Sequence, residues 1–133
     1  MPERVLKALY PCGMRKFEEY KIWQKSQDLV IRIYQSSAQF PSSEKFVLKS
    51  QIRRAINSVP ANIAEGCSRT SEKDFARFLE IPLGSVFECR SFLWTCKNLG
   101  YLQEPEYDSL RADLIEVSRM INGLKIKLVK KHS

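Results

Sequence analysis

Gln51-Ile52-Arg53-Arg54-Ala55-Ile56-Asn57-Ser58-Val59-Pro60-Ala61-Asn62-Ile63-Ala64-Glu65-Gly66 decides the fold. Ile52, Ala55, Ile56, Val59 and Ile63, with Leu48 before them, recur at spacings of three and four, which places them on one face of an α-helix. At 100° per residue they cluster within about a third of the helical circle. A polar stripe, Gln51, Arg54, Ser58, Asn62 and Glu65, runs beside the apolar one. Lys49, Arg53 and Asn57 fall on the far side, which would leave Arg53 free for an anion. Pro60 removes one helical hydrogen bond and crowds the carbonyl of Ile56. A kink is expected there rather than a stop, because the apolar period continues in register to Ile63. Asn57 and Ser58 stand where they could bond the freed carbonyls. Gly66 reads as a left-handed C-terminal position.

Upstream, Phe40-Pro41 ends a preceding helix, since the residue before proline is biased out of the α region. That helix is predicted over about 17–38, with Trp23, Val30, Ile33, Tyr34 and Ser37 as its apolar row and Gln27 filling one slot. Ser42 and Ser43 are N-cap candidates for the central helix, which is expected to start near Glu44. Residues 1–15 read as an N-terminal extension punctuated by Pro2, Pro11 and Gly13, with one turn possible between Val5 and Tyr10. Met14 is an alternative start, and 16–133 is the folded domain.

Downstream, Ser71 with Asp74 resembles a capping box that opens a third helix, predicted over about 72–98. Its seam is Phe75, Leu79, Pro82, Val86, Cys89, Leu93 and Cys96, broadened by Phe78, Phe92 and Trp94. Pro82 predicts a local kink, and Gly100 marks the exit. Pro105 suits the first turn of a fourth helix. Tyr107, Leu110, Leu114, Val117, Ile121, Leu124 and Leu128 then alternate at three and four, as in helices packed at a shallow angle. Four long helices with short connections, and no competing strand pattern, predict an all-α, antiparallel up-down-up-down four-helix bundle.

Composition narrows the function. The chain has 133 residues, enough for a core without staples, and only 5 Gly and 6 Pro against 44% hydrophobic residues, which argues against disorder. Its net charge of +7 suits a polyanionic partner. No apolar run approaches the roughly 18 residues of a membrane span, and the expected location is cytoplasmic.

Enzymatic chemistry finds no foothold, and no cofactor or metal is expected. Cys12, Cys67, Cys89 and Cys96 form no CxxC pair. Cys89 and Cys96 are seven apart, roughly 10 Å along a helix, too far for a disulfide or shared metal ligation. His132 is the only histidine and lies in the tail, which excludes the Glu-x-x-His pairs of a di-metal bundle and leaves a cysteine nucleophile with a base only at a position remote in sequence.

Two groups remain as candidate sites. Lys49, Arg53, Arg69, Lys73, Arg77, Lys125, Lys127, Lys130 and Lys131 are candidates for phosphate contacts, set against the simpler alternative of a solvated basic surface. Aromatic residues do not interleave with these positions, so base stacking is not signalled. The polar row Gln51, Arg54, Ser58, Asn62 and Glu65 is a candidate contact between copies, set against a plain boundary between core and solvent. Arg54 and Glu65 are eleven residues apart, roughly 16 Å along one helix, and can pair only with groups elsewhere. A head-to-tail contact that closes makes a ring.

The run IWQKSQDLVIRIY from Ile22, then FPSSEKFVLKSQIRRAINSVPANIAEG, RTSEKDFARFLEIPLGSVFECRSFL and NLGYL, resembles the bacterial proteins encoded in intervening sequences of 23S ribosomal RNA genes. The resemblance covers about 17–128, and NIAEG with Leu83-Gly84-Ser85 are its specific parts. It implies a four-helix protomer assembling as a homopentameric barrel. The family also looks related to accessory proteins of diversity-generating retroelements, basic pentamers that associate with a reverse transcriptase and nucleic acid. RNA or DNA binding is the expectation that follows, and the alternative is a protein-interaction adaptor for a polymerase-type partner. Pro82 departs from the small helix-compatible residue the family usually carries there.

Overall fold

The structure, a computed structural model, describes residues 2–5 and 14–130. The described residues hold five α-helices and no strand: α1 (Lys21–Ser37), α2 (Leu48–Cys67), α3 (Glu72–Phe78), α4 (Glu80–Asn98) and α5 (Glu104–Lys130). Short 3-10 turns at Phe17–Glu19 and Ser42–Glu44 precede α1 and α2. Residues 6–13 of the extension, Cys12 among them, together with Lys131 and His132, lie outside the described residues.

The helices pack as a bundle around one core. α1 packs on α2, α2 on α4, α4 on α5 and α5 on α1, while α3 sits against α5 and α2. The apolar row of α2 is buried along its length from Leu48 to Ile63. Tyr107, Leu110, Leu114, Val117 and Ile121 of α5 are buried too, as are Phe75, Leu79, Val86, Cys89, Leu93 and Cys96. Each large aliphatic side chain so buried contributes roughly 1.5–3 kcal/mol.

The first helix differs from expectation. It begins at Lys21, and it buries Ile22, Ser26, Leu29, Ile33 and Ser37. Trp23 and Val30 are half-buried and Tyr34 is exposed. The buried row holds two serines; Ser37 is expected in it, whereas Ser26 interrupts the repeat from Ile22 to Leu29 and hides it from hydropathy. Their hydroxyls stay satisfied in the core by donating to carbonyls three residues back, Ser26 to Trp23 at 2.9 Å and Ser37 to Tyr34 at 3.4 Å.

Prolines and glycines also sort differently. α2 begins at Leu48 rather than near Glu44, and it runs through Pro60 to Cys67. Ser58 donates to Ala55 O at 2.7 Å and Asn57 to Arg53 O at 2.9 Å, so neither serves the carbonyl of Ile56. Gly66 is not left-handed, because the only positive-φ glycine among the described residues is Gly100 (φ 81°). A Cβ on Gly66 would lie 3.2 Å from Phe78 Cδ1 and 3.3 Å from Phe75 Cδ1, so this glycine admits the α3 aromatics against α2. Gly100 closes α4, with Tyr101 N donating to Cys96 O at 2.9 Å and Gly100 N to Lys97 O at 3.0 Å. Pro82 does more than kink its helix. It cannot donate to Phe78 O and crowds that carbonyl, and the helix breaks into α3 and α4 at Leu79. Ser71 caps α3 as expected, accepting from Asp74 N at 3.0 Å.

Candidate functional site

The basic residues divide between two parts of the molecule. Lys49 and Arg53 belong to the start of α2, while Arg69, Lys73, Arg77, Lys125, Lys127 and Lys130 collect around its other end with α3 and the close of α5. The eighteen helical steps from Lys49 to Cys67 span roughly 27 Å, so no short ligand reaches both groups.

Arg53 is not free for an anion. Its Nε donates to Ser37 Oγ at 2.8 Å and its Nη2 to Tyr34 O at 3.0 Å, while the guanidinium lies 4.4 Å from the Tyr34 ring centroid. The helix face that points away from the apolar row of α2 points towards the end of α1, whose terminal carbonyls need donors. Arg53 is therefore a strut between two helices.

At the other end, Arg69 closes α2. Its guanidinium lies 4.3 Å from the Phe78 ring centroid and its Nη2 is 3.6 Å from Glu65. Its Nε is buried without a hydrogen-bond partner. A surface groove beside it is lined by Arg69, Arg77, Asp74, Phe78 and Ile81. A second groove, about 580 Å³, runs between Arg15, Tyr20 and Glu72 on one side and Lys127 and Lys130 on the other. Lys73 is exposed on α3 nearby. Lys125 is committed to Glu80 at the start of α4.

Arg15 is the residue that sequence reasoning missed here, by placing it in the extension. It donates to the carbonyls of Cys67, at 3.2 Å, and Arg69, and its guanidinium lies 4.7 Å from the Phe75 ring centroid. No local pattern marks it, because its partners lie more than fifty residues away. Arg15 thus adds a cation to this end while satisfying the last carbonyl of α2 and that of Arg69 just beyond it.

The polar row of α2 is satisfied within the chain. Arg54 Nη2 reaches Glu88 Oε2 of α4 at 2.7 Å, and Arg54 Nε reaches Gln51 Oε1 at 3.0 Å. The hydrogen bond to Glu88 raises the Arg54 pKa further. Asn62 donates to Ser58 O at 2.7 Å, and Glu65 pairs with Arg69. The row therefore flanks the packed seam between α2 and α4, which Arg54 crosses to reach Glu88. The eleven-residue gap between Arg54 and Glu65 never has to be bridged, since each finds an opposite charge off the row.

Nucleophilic chemistry has no support here. Burial pushes the Cys67 thiol up to about 11 and the Cys89 and Cys96 thiols up to about 12, so all three are protonated near neutrality. Among the described residues no cluster of three His, Cys, Asp or Glu could hold a metal ion, and no helix is long and apolar enough to cross a membrane.

Trp94 does not broaden the core. It is 59% exposed, and Phe87, two turns before it on the same face, is 57% exposed. Arg90 lies between them, with its guanidinium 5.5 Å from the Phe87 ring centroid. This pairing of exposed aromatics with a basic residue is the second feature sequence reasoning missed. Its signal was the i, i+3, i+7 spacing of Phe87, Arg90 and Trp94, which sits beside an equally periodic apolar row.

Comparison with known proteins agrees with this architecture. The model of the 23S rRNA-intervening sequence protein family matches residues 18–123. A solved structure from Bacteroides thetaiotaomicron VPI-5482, described as a protein of unknown function from the S23 ribosomal protein family, superposes with a TM-score of 0.72 at 27% identity. The match covers 78% of this chain and 97% of that one. No curated protein matches the chain.

Proposed function

The chain belongs to the 23S rRNA-intervening sequence protein family, and from that premise we propose that it is a non-enzymatic basic bundle protein that binds RNA or other nucleic acid through backbone phosphates. The observation that carries this reading is the gathering of Lys73, Arg77, Lys127 and Lys130 at one end of the bundle, around two open grooves to which the structurally held Arg15 and Arg69 add positive charge. Contacts of this kind position a polyanion without reading its sequence. A filter-binding titration with pooled RNA tests it. Affinity should fall steeply with salt, with a log–log slope of about −0.7 per phosphate for single strands and about −0.9 for DNA duplex. Binding that is absent at low salt, or indifferent to salt, overturns the reading.

We read the protomer as an antiparallel up-down-up-down four-helix bundle, in which α3 and α4 are two pieces of one broken helix. Support comes from its ends. Phe40 meets Tyr101 at 5.4 Å between ring centroids and Tyr101 meets Glu44 at 3.3 Å, while Tyr20 meets Phe75 at 6.0 Å at the opposite end. The protomer is proposed to assemble in the cytoplasm as a homopentameric barrel, with the polar row Gln51, Arg54, Ser58, Asn62 and Glu65 on α2 as the contact between copies.

A second reading has its own observation. Phe46 is 83% exposed and Val47 62% exposed, side by side just before α2. Such residues suit a protein partner, and an adaptor for a polymerase or reverse transcriptase would use them. Capture of a purified polymerase at high salt, lost in Phe46→Ser, would favour this reading over the first.

A further inference from the structure

The seam between α4 and α5 carries a surface with a different chemistry from the basic end. Its two ends are pinned by ion pairs, Lys97 with Glu104 at 3.6 Å and Glu80 with Lys125. Phe87, Arg90 and Trp94 lie on the α4 flank between those pins. Seven residues from the Lys97–Glu104 pair stand Arg90 on α4 and Arg111 on α5. Seven residues are nearly two helical turns, so both arginines return to the seam at the same level. Phe87 and Trp94 then stand roughly 10 Å apart along α4, one on each side of the arginines.

Nearby acids leave this lip positive. Glu88, beside Phe87 in the chain, is turned away to Arg54 on α2. Asp108, one turn before Arg111, offsets one of the two arginines. Two large rings more than half exposed, with cations between them, match a binder that offers flat π-faces and negative charge together. Single-stranded nucleic acid offers both.

We propose that Phe87 and Trp94 form a stacking platform for two unpaired bases, and that Arg90 and Arg111 hold the phosphates between them. This rests on the nucleic-acid reading above and adds a preference for single strands. A duplex keeps its bases stacked inside and cannot use the rings.

The test uses the full chain with a twelve-nucleotide oligouridylate and a twelve-base-pair RNA duplex, both at low salt. In a Trp23→Phe background, oligouridylate should quench the fluorescence of Trp94. Trp94→Ala and Phe87→Ala should each weaken oligouridylate binding about tenfold and leave duplex binding unchanged, while Trp94→Phe retains most of the affinity. Arg90→Ala should reduce the salt slope by about 0.7. Both rings are surface residues, so an unchanged Tm confirms that the variants fold. Equal affinity of wild type and Trp94→Ala for the single strand overturns the platform but leaves the phosphate reading standing. So does a fall in oligomer mass by light scattering with affinity unchanged, which would make the face a contact between copies. If wild type binds neither probe, both readings fall together.

Discussion

Arg54 Nη2 on α2 lies 2.7 Å from Glu88 Oε2 on α4. The pair crosses the seam between the two helices, beside the polar row of α2. Both side chains keep substantial exposure, 52% and 41%, so the bridge is screened and governs specificity more than stability. Arg54→Glu places like charges across the seam, and light scattering should show a lower oligomer mass with little change in Tm. The swapped variant Arg54→Glu/Glu88→Arg restores the bridge in reverse and should recover mass only if the contact recognises the pair and not the arginine itself. An unchanged mass for the single variant sinks the row as a contact between copies.

Arg53, next in the chain, should behave in the opposite manner. Its two hydrogen bonds and its stack on Tyr34 join α2 to the end of α1. Arg53→Ala should cost about 1–3 kcal/mol in urea unfolding, and Arg53→Lys should recover only part, because an ammonium cannot reproduce the planar fork. Nucleic-acid affinity should not change in either variant once both are folded.

The glycines make a graded set. Gly84 lies inside α4 with open space around its would-be Cβ, so Gly84→Ala should stabilise by up to about 1 kcal/mol. Gly66→Ala meets the Phe75 and Phe78 rings and should destabilise by about 1–2 kcal/mol despite the better helix propensity. Gly100→Ala requires a left-handed alanine and should cost about 1 kcal/mol. Thermal melts of the three variants should follow that order of sign.

Burial of the thiols makes stability fall in alkali. A free cysteine ionises from about 9.0 in the unfolded chain, whereas Cys67 waits until about 11 and Cys89 and Cys96 until about 12. The folded state therefore holds more protons between those values, and stability declines as pH rises through that window. It is fully present below pH 9. Cys89→Ala/Cys96→Ala should flatten the decline relative to its own neutral-pH value. Equal slopes for variant and wild type would show that other groups, such as Tyr20 with its raised pKa, carry it.

Much of the fold was legible because burial repeats with the helical period. The rows of α2 and α5, and Phe75 to Cys96, needed no tertiary knowledge. Register failed at the start of α1, where Ser26 interrupts the buried repeat from Ile22 to Leu29: it is a core residue whose hydroxyl bonds backward, and hydropathy counts it as polar. Trp94 failed in the opposite sense, an apolar side chain left in water on the flank of α4.

The candidate site was less legible than the fold. Arg53, Arg54, Arg69 and Arg15 are one residue type, and nothing local distinguishes a strut from a surface cation. Their roles depend on Tyr34, Glu88, Phe78 and Cys67, which the chain brings near only by folding. A guanidinium reaches far and bonds in many directions, so its partner is settled by which helix packs alongside.

The sequence by itself determined the all-helical class, the apolar faces of α2 and α5 and the family, because helical period and turn chemistry act over a few residues. Tertiary structure alone decided which prolines break a helix and which glycine yields to a neighbour. Pro60 stays within α2, whereas Pro82 divides α3 from α4. Gly66 faces two phenyl rings, while Gly84 faces open space. In the stretch from Gln51 to Gly66, the apolar row was fixed by period alone. The fates of its two arginines were fixed by their neighbours, since a charge is stabilised by whatever opposite charge, carbonyl or ring the packed helices bring within reach.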